Sequence, residues 1–290
     1  MPVAVERLVA KPRLLFRPDP VLGWSLSPGH GVAVGFRDGV VQHVGDDGWR
    51  VVPGSGDAAG PRIAVYGCSF TYGTGLADHE TFVAGLQAGR PEMRLLNRGI
   101  GGHGTVQNFL QFRRDLAAGA VDAALFAVIS DHRFRNIPHP QRMRQYLTRD
   151  WYRLGVERVP VLRQDQQGGA CIAYVDIWQP ALERAEFDEF LPDEHMINGA
   201  FFATMRAVQA AARDRALPVR IAILDQLDPD FTAAVQREIP GTVDVSVPHD
   251  ADHTFVPDDV HPNVAANRVF AERLLPVIDD LTIDLRSGDT

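Results

Sequence analysis

The chain reads as a three-layer α/β/α protein built on a mostly parallel sheet. Three observations predict this. From residue 62 onward, short apolar runs alternate with segments of helical periodicity. The runs are apolar at nearly every position, as strands buried on both faces are. Glycine and polar residues follow several of the runs, at the strand ends where open α/β sheets place their ligands.

The elements follow in order. Residues 14–56 are β-rich, with apolar runs separated by Asp38-Gly39 and Asp47-Gly48, a strong hairpin-turn signal. "PGSGDAAGP", residues 53–61, reads as a loop. The expectation is a small N-terminal β-rich appendage over residues 1–60 and an α/β/α domain over 61–290. Within that domain "RIAVYG" is a strand, "DHETFVAGLQAG" a helix, "MRLLN" a strand, "TVQNFLQFRRDLAA" a helix and "VDAALFAVIS" a strand. Further on come the strand "CIAYVDI", the helix "EHMINGAFFATMRAVQAAARDRA", the strand "VRIAILD", the helix "DPDFTAAVQREI" and the short strand "VDVSV". The last helix is "PNVAANRVFAERLLPVIDDL", with Pro262 as its start signal. Residues 132–170 interrupt the alternation. They carry Arg133, Arg135, Arg142, Arg144, Arg149, Arg153, Arg158 and Arg163, with Tyr146, Trp151 and Tyr152. An insertion after a strand's C-terminal end suits a lid or substrate wall, or equally a solvated excursion.

Composition narrows the function classes. The 290 residues are 45% hydrophobic and 23% charged, ordinary for a soluble globular protein. A net charge of −8 disfavours general binding to nucleic acid or anionic membrane. Cys68 and Cys171 do not make a disulfide scaffold for a chain this long. The opening residues lack a leader-like apolar core, and no apolar stretch approaches a membrane span, so a cytoplasmic location is expected.

Chemistry is sought after each strand. Gly67-Cys68-Ser69 follows the first strand of the alternating region, and "NRGIGGHG", residues 97–104, follows the second. Ser130, Asp131 and His132 follow the third, and "PDDVHPN", residues 257–263, precedes the last helix. A serine nucleophile needs a base, and the base needs an orienting carboxylate. Ser69, His261 and Asp258 supply those roles. A nucleophile elbow of G-x-S-x-G form fits less well, because Thr71 stands where its final glycine belongs.

Three blocks in order give the chain a resemblance to the SGNH (GDSL-type) hydrolases. Gly67-Cys68-Ser69 is similar to their Gly-Asp-Ser triplet, with Cys68 in place of Asp. Asn97-Arg98-Gly99-Ile100-Gly101-Gly102 is similar to their N-x-G-x-x-G block, and Asp258-Asp259-Val260-His261-Pro262 to their D-x-x-H-P block. The resemblance covers about residues 62–280. It implies a flavodoxin-like fold, a Ser69–His261–Asp258 triad, and an oxyanion hole from the Ser69 and Gly102 backbone N–H groups. The family's third block places an Asn where this chain has Ser130. Ser130 is therefore the expected third donor, with His132 or Asn136 as substitutes. Asp131, Arg133 and Arg135, at the head of the insertion, are candidate substrate-binding residues.

The resulting expectation is a serine-dependent esterase acting on a short acyl ester of a sugar or small molecule. An acyltransferase with the same triad is the first alternative, because arginine forks suit the phosphates of an acyl donor. A catalytically weak ligand-binding module is the second, because of Ser130. No cofactor or metal is expected. Gly99, Gly101 and Gly104 satisfy G-x-G-x-x-G, but Asp122 begins the next strand rather than ending it. His249 and His253 lie in a segment that reads as loop, and Cys68 is expected to point into the sheet beneath Ser69.

Overall fold

The computed structural model describes residues 15–146, 154–164, 170–177 and 192–288. Four short strands come first: β1 (Phe16–Asp19), β2 (Gly23–Leu26), β3 (His30–Ala33) and β4 (Val41–Val44). They pair as two antiparallel hairpins, β1 with β2 and β3 with β4. Both Asp-Gly turns lie where expected. Gly39 and Gly48 take the left-handed backbone such turns require, and the Gly48 N–H closes onto the Gly45 carbonyl at 2.9 Å.

The alternating region gives β5 (Arg62–Gly67), β6 (Arg94–Gly99) and β7 (Ala123–Val128). A hairpin of β8 (Arg158–Gln164) and β9 (Ala170–Asp176) follows, then β10 (Val219–Asp225) and β11 (Thr242–Val247). The helices are α1 (Ser69–Tyr72), α2 (Phe82–Gly89), α3 (Thr105–Ala117), α4 (His132–Arg135) and α5 (Pro140–Tyr146). Beyond the hairpin come α6 (Glu194–Arg213), α7 (Pro229–Glu238) and α8 (Val264–Gly288).

Strands β11, β10, β7, β5 and β6 lie side by side in that order, all parallel. Numbered by sequence, this is the flavodoxin-like order 2-1-3-4-5. Strand alternation supplies two cores. Ile63, Val65, Leu125 and Ala127 face α2 and α8, where Phe82, Leu86, Phe270 and Leu274 are buried. Ala64, Tyr66, Phe126 and Val128 face α3, α6 and α7, through Phe112, Phe201, Met205 and Val235. Each such apolar side chain contributes roughly 1.5–3 kcal/mol by leaving water. Local signals start the helices. Asp193 caps α6 by accepting from the Met196 N–H at 2.8 Å, and Asp228 caps α7 by accepting from Phe231 at 2.9 Å.

Two expectations change. "CIAYVDI" is a strand, but it pairs antiparallel with β8 and stays outside the central sheet. Its inward residues, with Val159 and Val161, are covered by the N-terminal strands instead. Trp24, Leu26, Val32 and Val44 of the N-terminal segment share one apolar cluster with Tyr72, Ile100, Tyr146 and Val159. The last helix starts at Val264, capped by the Asn263 side chain, which accepts from the Ala266 N–H at 3.1 Å. Pro262 lies ahead of that cap. Arg149, Trp151, Tyr152 and Arg153 of the insertion lie outside the described residues. Among the described residues no helix is long and apolar enough to cross a membrane.

Candidate active site

The order 2-1-3-4-5 reverses direction between β5 and β7, and ligands of such sheets bind in the crevice outside that point. A cavity of about 620 Å³ opens beyond the carboxyl ends of β5 and β6, lined by Ser69, Gly101, Gly102, Asp258, Asp259 and His261 together with apolar residues of the N-terminal segment. Its volume lies within the range of small-molecule sites.

Ser69 opens α1 directly after β5 and is nearly buried, at 9% exposure. The turn that presents it is tight. A Cβ on Gly67 would lie 2.0 Å from Thr71 Oγ1 and 2.9 Å from the Ala127 carbonyl, so no side chain fits. Cys68 points the other way and is fully buried in the α2/α8 core. Asn97 holds the far end of the turn: its Nδ2 donates to the Thr71 carbonyl at 2.7 Å, while its Oδ1 accepts from the Gly99 N–H at 2.9 Å.

Gly102 follows β6 and has φ +81°, a left-handed conformation that L side chains rarely adopt. Trp24 of β2 supports this loop, with its Nε1 donating to the Gly101 carbonyl at 3.0 Å. Among the described residues the backbone N–H groups of Ser69 and Gly102 have no partner.

His261 sits on a closed loop ahead of α8. Phe255 N–H donates to the His261 carbonyl at 3.1 Å, and Thr254 bridges Pro262. The ring lies edge-on to Phe70, 5.9 Å between centroids. Its Nδ1 donates to Asp259 Oδ1 at 2.5 Å, and the same oxygen accepts the His261 backbone N–H at 2.8 Å. Asp259 is therefore the carboxylate on the ring, in place of the expected Asp258. The reason is local. An aspartate reaches the backbone N–H two residues on in an Asx turn, and here that oxygen also meets the ring. Asp258 instead lies exposed at the cavity wall, with no ion pair among the described residues. Burial works to raise the Asp259 carboxyl, but the hydrogen bond and charge of His261 outweigh it and hold its pKa below the usual value. Nδ1 being engaged, Nε2 is left to face a proton donor. Among the described residues no hydrogen bond joins it to Ser69 Oγ.

The expected third donor and its two substitutes are placed elsewhere. Ser130 is buried, and its hydroxyl and backbone N–H both donate to Asp225, the hydroxyl at 2.8 Å. Burial pushes the Asp225 carboxyl up, against the pull of those bonds. Asn136 is committed to α3: its Nδ2 donates to Thr105 Oγ1 at 2.6 Å and its Oδ1 accepts from the Val106 N–H. His132 is fully buried, which drives its pKa well below the ordinary value, and neither ring nitrogen has a partner among the described residues. None of the three lines the cavity.

Nor do the candidate substrate-binding residues. Arg135 donates to Asp131 and to the His103 carbonyl at 2.9 Å, and Arg142 also pairs with Asp131. Arg133 is bound by Glu194, Asn198 and Asp228. These guanidiniums tie α4 to its neighbours, because a buried cation must be paired. His253 pairs with Asp250 at 2.7 Å on the loop carrying His249. The residues that sequence reasoning missed are Asp259, Trp24 and the cavity wall from β1 to β4. Only Asp259 had a local signal, the doubled carboxylate of Asp258-Asp259.

No family model matches the chain, and no curated protein does. Among solved structures it is similar to a lipolytic protein of the G-D-S-L family from Veillonella parvula DSM 2008, at 14% identity and a TM-score of 0.42, covering 75% of this chain and 98% of that one. It is also similar to an acetylxylan esterase from Geobacillus stearothermophilus, at 15% identity and a TM-score of 0.42, covering 76% and 95%. A psychrotrophic esterase from Pseudoalteromonas sp. shares 12% identity at a TM-score of 0.42, covering 77% and 99%.

Proposed function

We propose that the chain is a serine-dependent ester hydrolase of SGNH type acting on a small-molecule ester. One observation carries the reading. Ser69, Gly102 and His261 line a single cavity beyond the carboxyl ends of β5 and β6, with His261 Nδ1 bonded to Asp259.

In this reading His261 Nε2 takes the Ser69 Oγ proton as the oxygen attacks the ester carbonyl. Asp259 holds the ring in the Nδ1–H tautomer and stabilises the imidazolium. The Ser69 and Gly102 N–H groups receive the oxyanion. His261 then protonates the departing alcohol, and water attacks the acyl-enzyme with the same base. A hole of two donors rather than three is weaker by about 3 kcal/mol, roughly 10²–10³ in rate, and the described residues supply two.

The described cavity wall carries no Arg or Lys to pair with a phosphate-bearing acyl donor. Labelling with a fluorophosphonate probe tests the proposal. An adduct is expected on Ser69 of the wild type, lost in Ser69→Ala and in His261→Ala. No adduct, together with no hydrolysis of any activated ester, would overturn it.

A further inference from the structure

We propose that the N-terminal strands form an acyl subsite, and that the ester carries an apolar acyl chain longer than acetyl. The inference rests on the esterase reading. Leu15, Phe16, Ala33, Val34, Phe36 and Tyr72 line the cavity, and at about 620 Å³ it is far larger than an acetyl group needs. Beyond the reacting centre the described wall carries no Arg or Lys, and its carboxylates are Asp258 and Asp259. The Tyr72 phenol does not change this character. It is buried without a hydrogen-bond partner among the described residues, and burial pushes its pKa up to about 12.

The direction of the chain follows from proton delivery. His261 must protonate the leaving oxygen, so the alcohol faces the His261 loop, where the exposed Asp258 carboxylate accepts hydroxyl hydrogen bonds. The acyl chain is left the wall beside the oxyanion loop. There Phe16 Cζ lies 3.3 Å from where a Cβ on Gly101 would stand. The far wall is held firmly. Phe36 packs on Phe255 with centroids 5.4 Å apart, and Arg37 donates to the Gly75 carbonyl at 2.8 Å and to Glu80 at 2.6 Å. A fixed apolar wall binds a chain without ordering cost on the protein's side.

The test is a chain-length series in two readouts. Hydrolysis of p-nitrophenyl acetate, butyrate and octanoate should rise in kcat/KM by roughly tenfold or more across the series. Acetates of lengthening alkyl alcohols should stay flat. Calorimetric binding of the same esters to Ser69→Ala reads the subsite without turnover and should tighten with acyl length. Ala33→Trp, which fills the cavity, should lower kcat/KM for octanoate far more than for acetate. Phe16→Ala should weaken octanoate more than acetate. Acetate preferred over octanoate, or a flat binding series, overturns the subsite and leaves the esterase reading standing. Loss of Ser69 labelling and of all turnover, with chain-length-dependent binding intact, overturns the esterase reading and leaves the subsite.

Discussion

Trp24 Nε1 donates to the Gly101 carbonyl, so a side chain from the second strand holds the loop whose next residue, Gly102, lines the cavity. Trp24 is itself fully buried against His103 and Tyr146. Trp24→Phe keeps most of the packing and removes the donor. Leaving a buried carbonyl unpaired costs about 1–3 kcal/mol. We expect a lower melting temperature and a fall in kcat with KM little changed, because the loop acts on the oxyanion rather than on ground-state binding. Steady-state kinetics and a thermal melt check both.

The two adjacent carboxylates separate cleanly by substitution. Asp259→Asn should lower kcat by about 10³–10⁴, as loss of an orienting carboxylate does. Asp258→Asn should leave kcat within a few-fold. The reverse ranking in single-turnover kinetics would return the orienting role to Asp258.

The Asp259 carboxyl also links stability to pH. Its pKa is lowered in the fold, so its contribution is fully present above the unfolded carboxylate value of 3.8 and is lost as pH falls through the lowered value. The stability gap between wild type and Asp259→Asn should therefore be wider at neutral pH than in acid. Urea unfolding at both conditions measures it.

Asp225 has the opposite sign. Its pKa is raised from 3.8, so ionising it costs stability as pH climbs from there to the raised value. Ser130→Ala removes a hydroxyl donor to that carboxylate and raises the pKa further. The variant should lose about 1–3 kcal/mol at neutral pH and less in acid, where the carboxyl is protonated. Its kcat should not drop by the factor of roughly 10²–10³ expected of an oxyanion donor.

Gly67 tolerates no side chain. Gly67→Ala would drive a Cβ to 2.0 Å from Thr71 Oγ1, and the backbone beside Ala127 leaves no room to retreat. Overpacking at a site this close costs about 1–3 kcal/mol or more. We expect a large fall in melting temperature and loss of probe labelling at Ser69.

How far the sequence reached varies by element. The strands "RIAVYG" and "VRIAILD" are observed as Arg62–Gly67 and Val219–Asp225, because two-sided burial and turn residues mark both ends. "CIAYVDI" has the same apolar character and joins a separate hairpin, since a short apolar run does not say which strand it will pair with. Arg133 and Arg135 read as binding residues on charge alone. Their partners Glu194, Asp228 and Asp131 become visible only when α4 packs against its neighbours.

By itself the sequence determined the alternating α/β order, the glycine-bound turn at Ser69, the glycine loop after the second parallel strand and a histidine ahead of the last helix. These rest on period and turn chemistry, which act over a few residues. The tertiary structure alone decided which aspartate meets His261, that Ser130 turns to Asp225 rather than to the cavity, and that β1 to β4 wall the site. The first is set by the local fold of the His261 loop; the other two depend on distances between segments far apart in the chain, set by strand order and by which apolar faces cover one another.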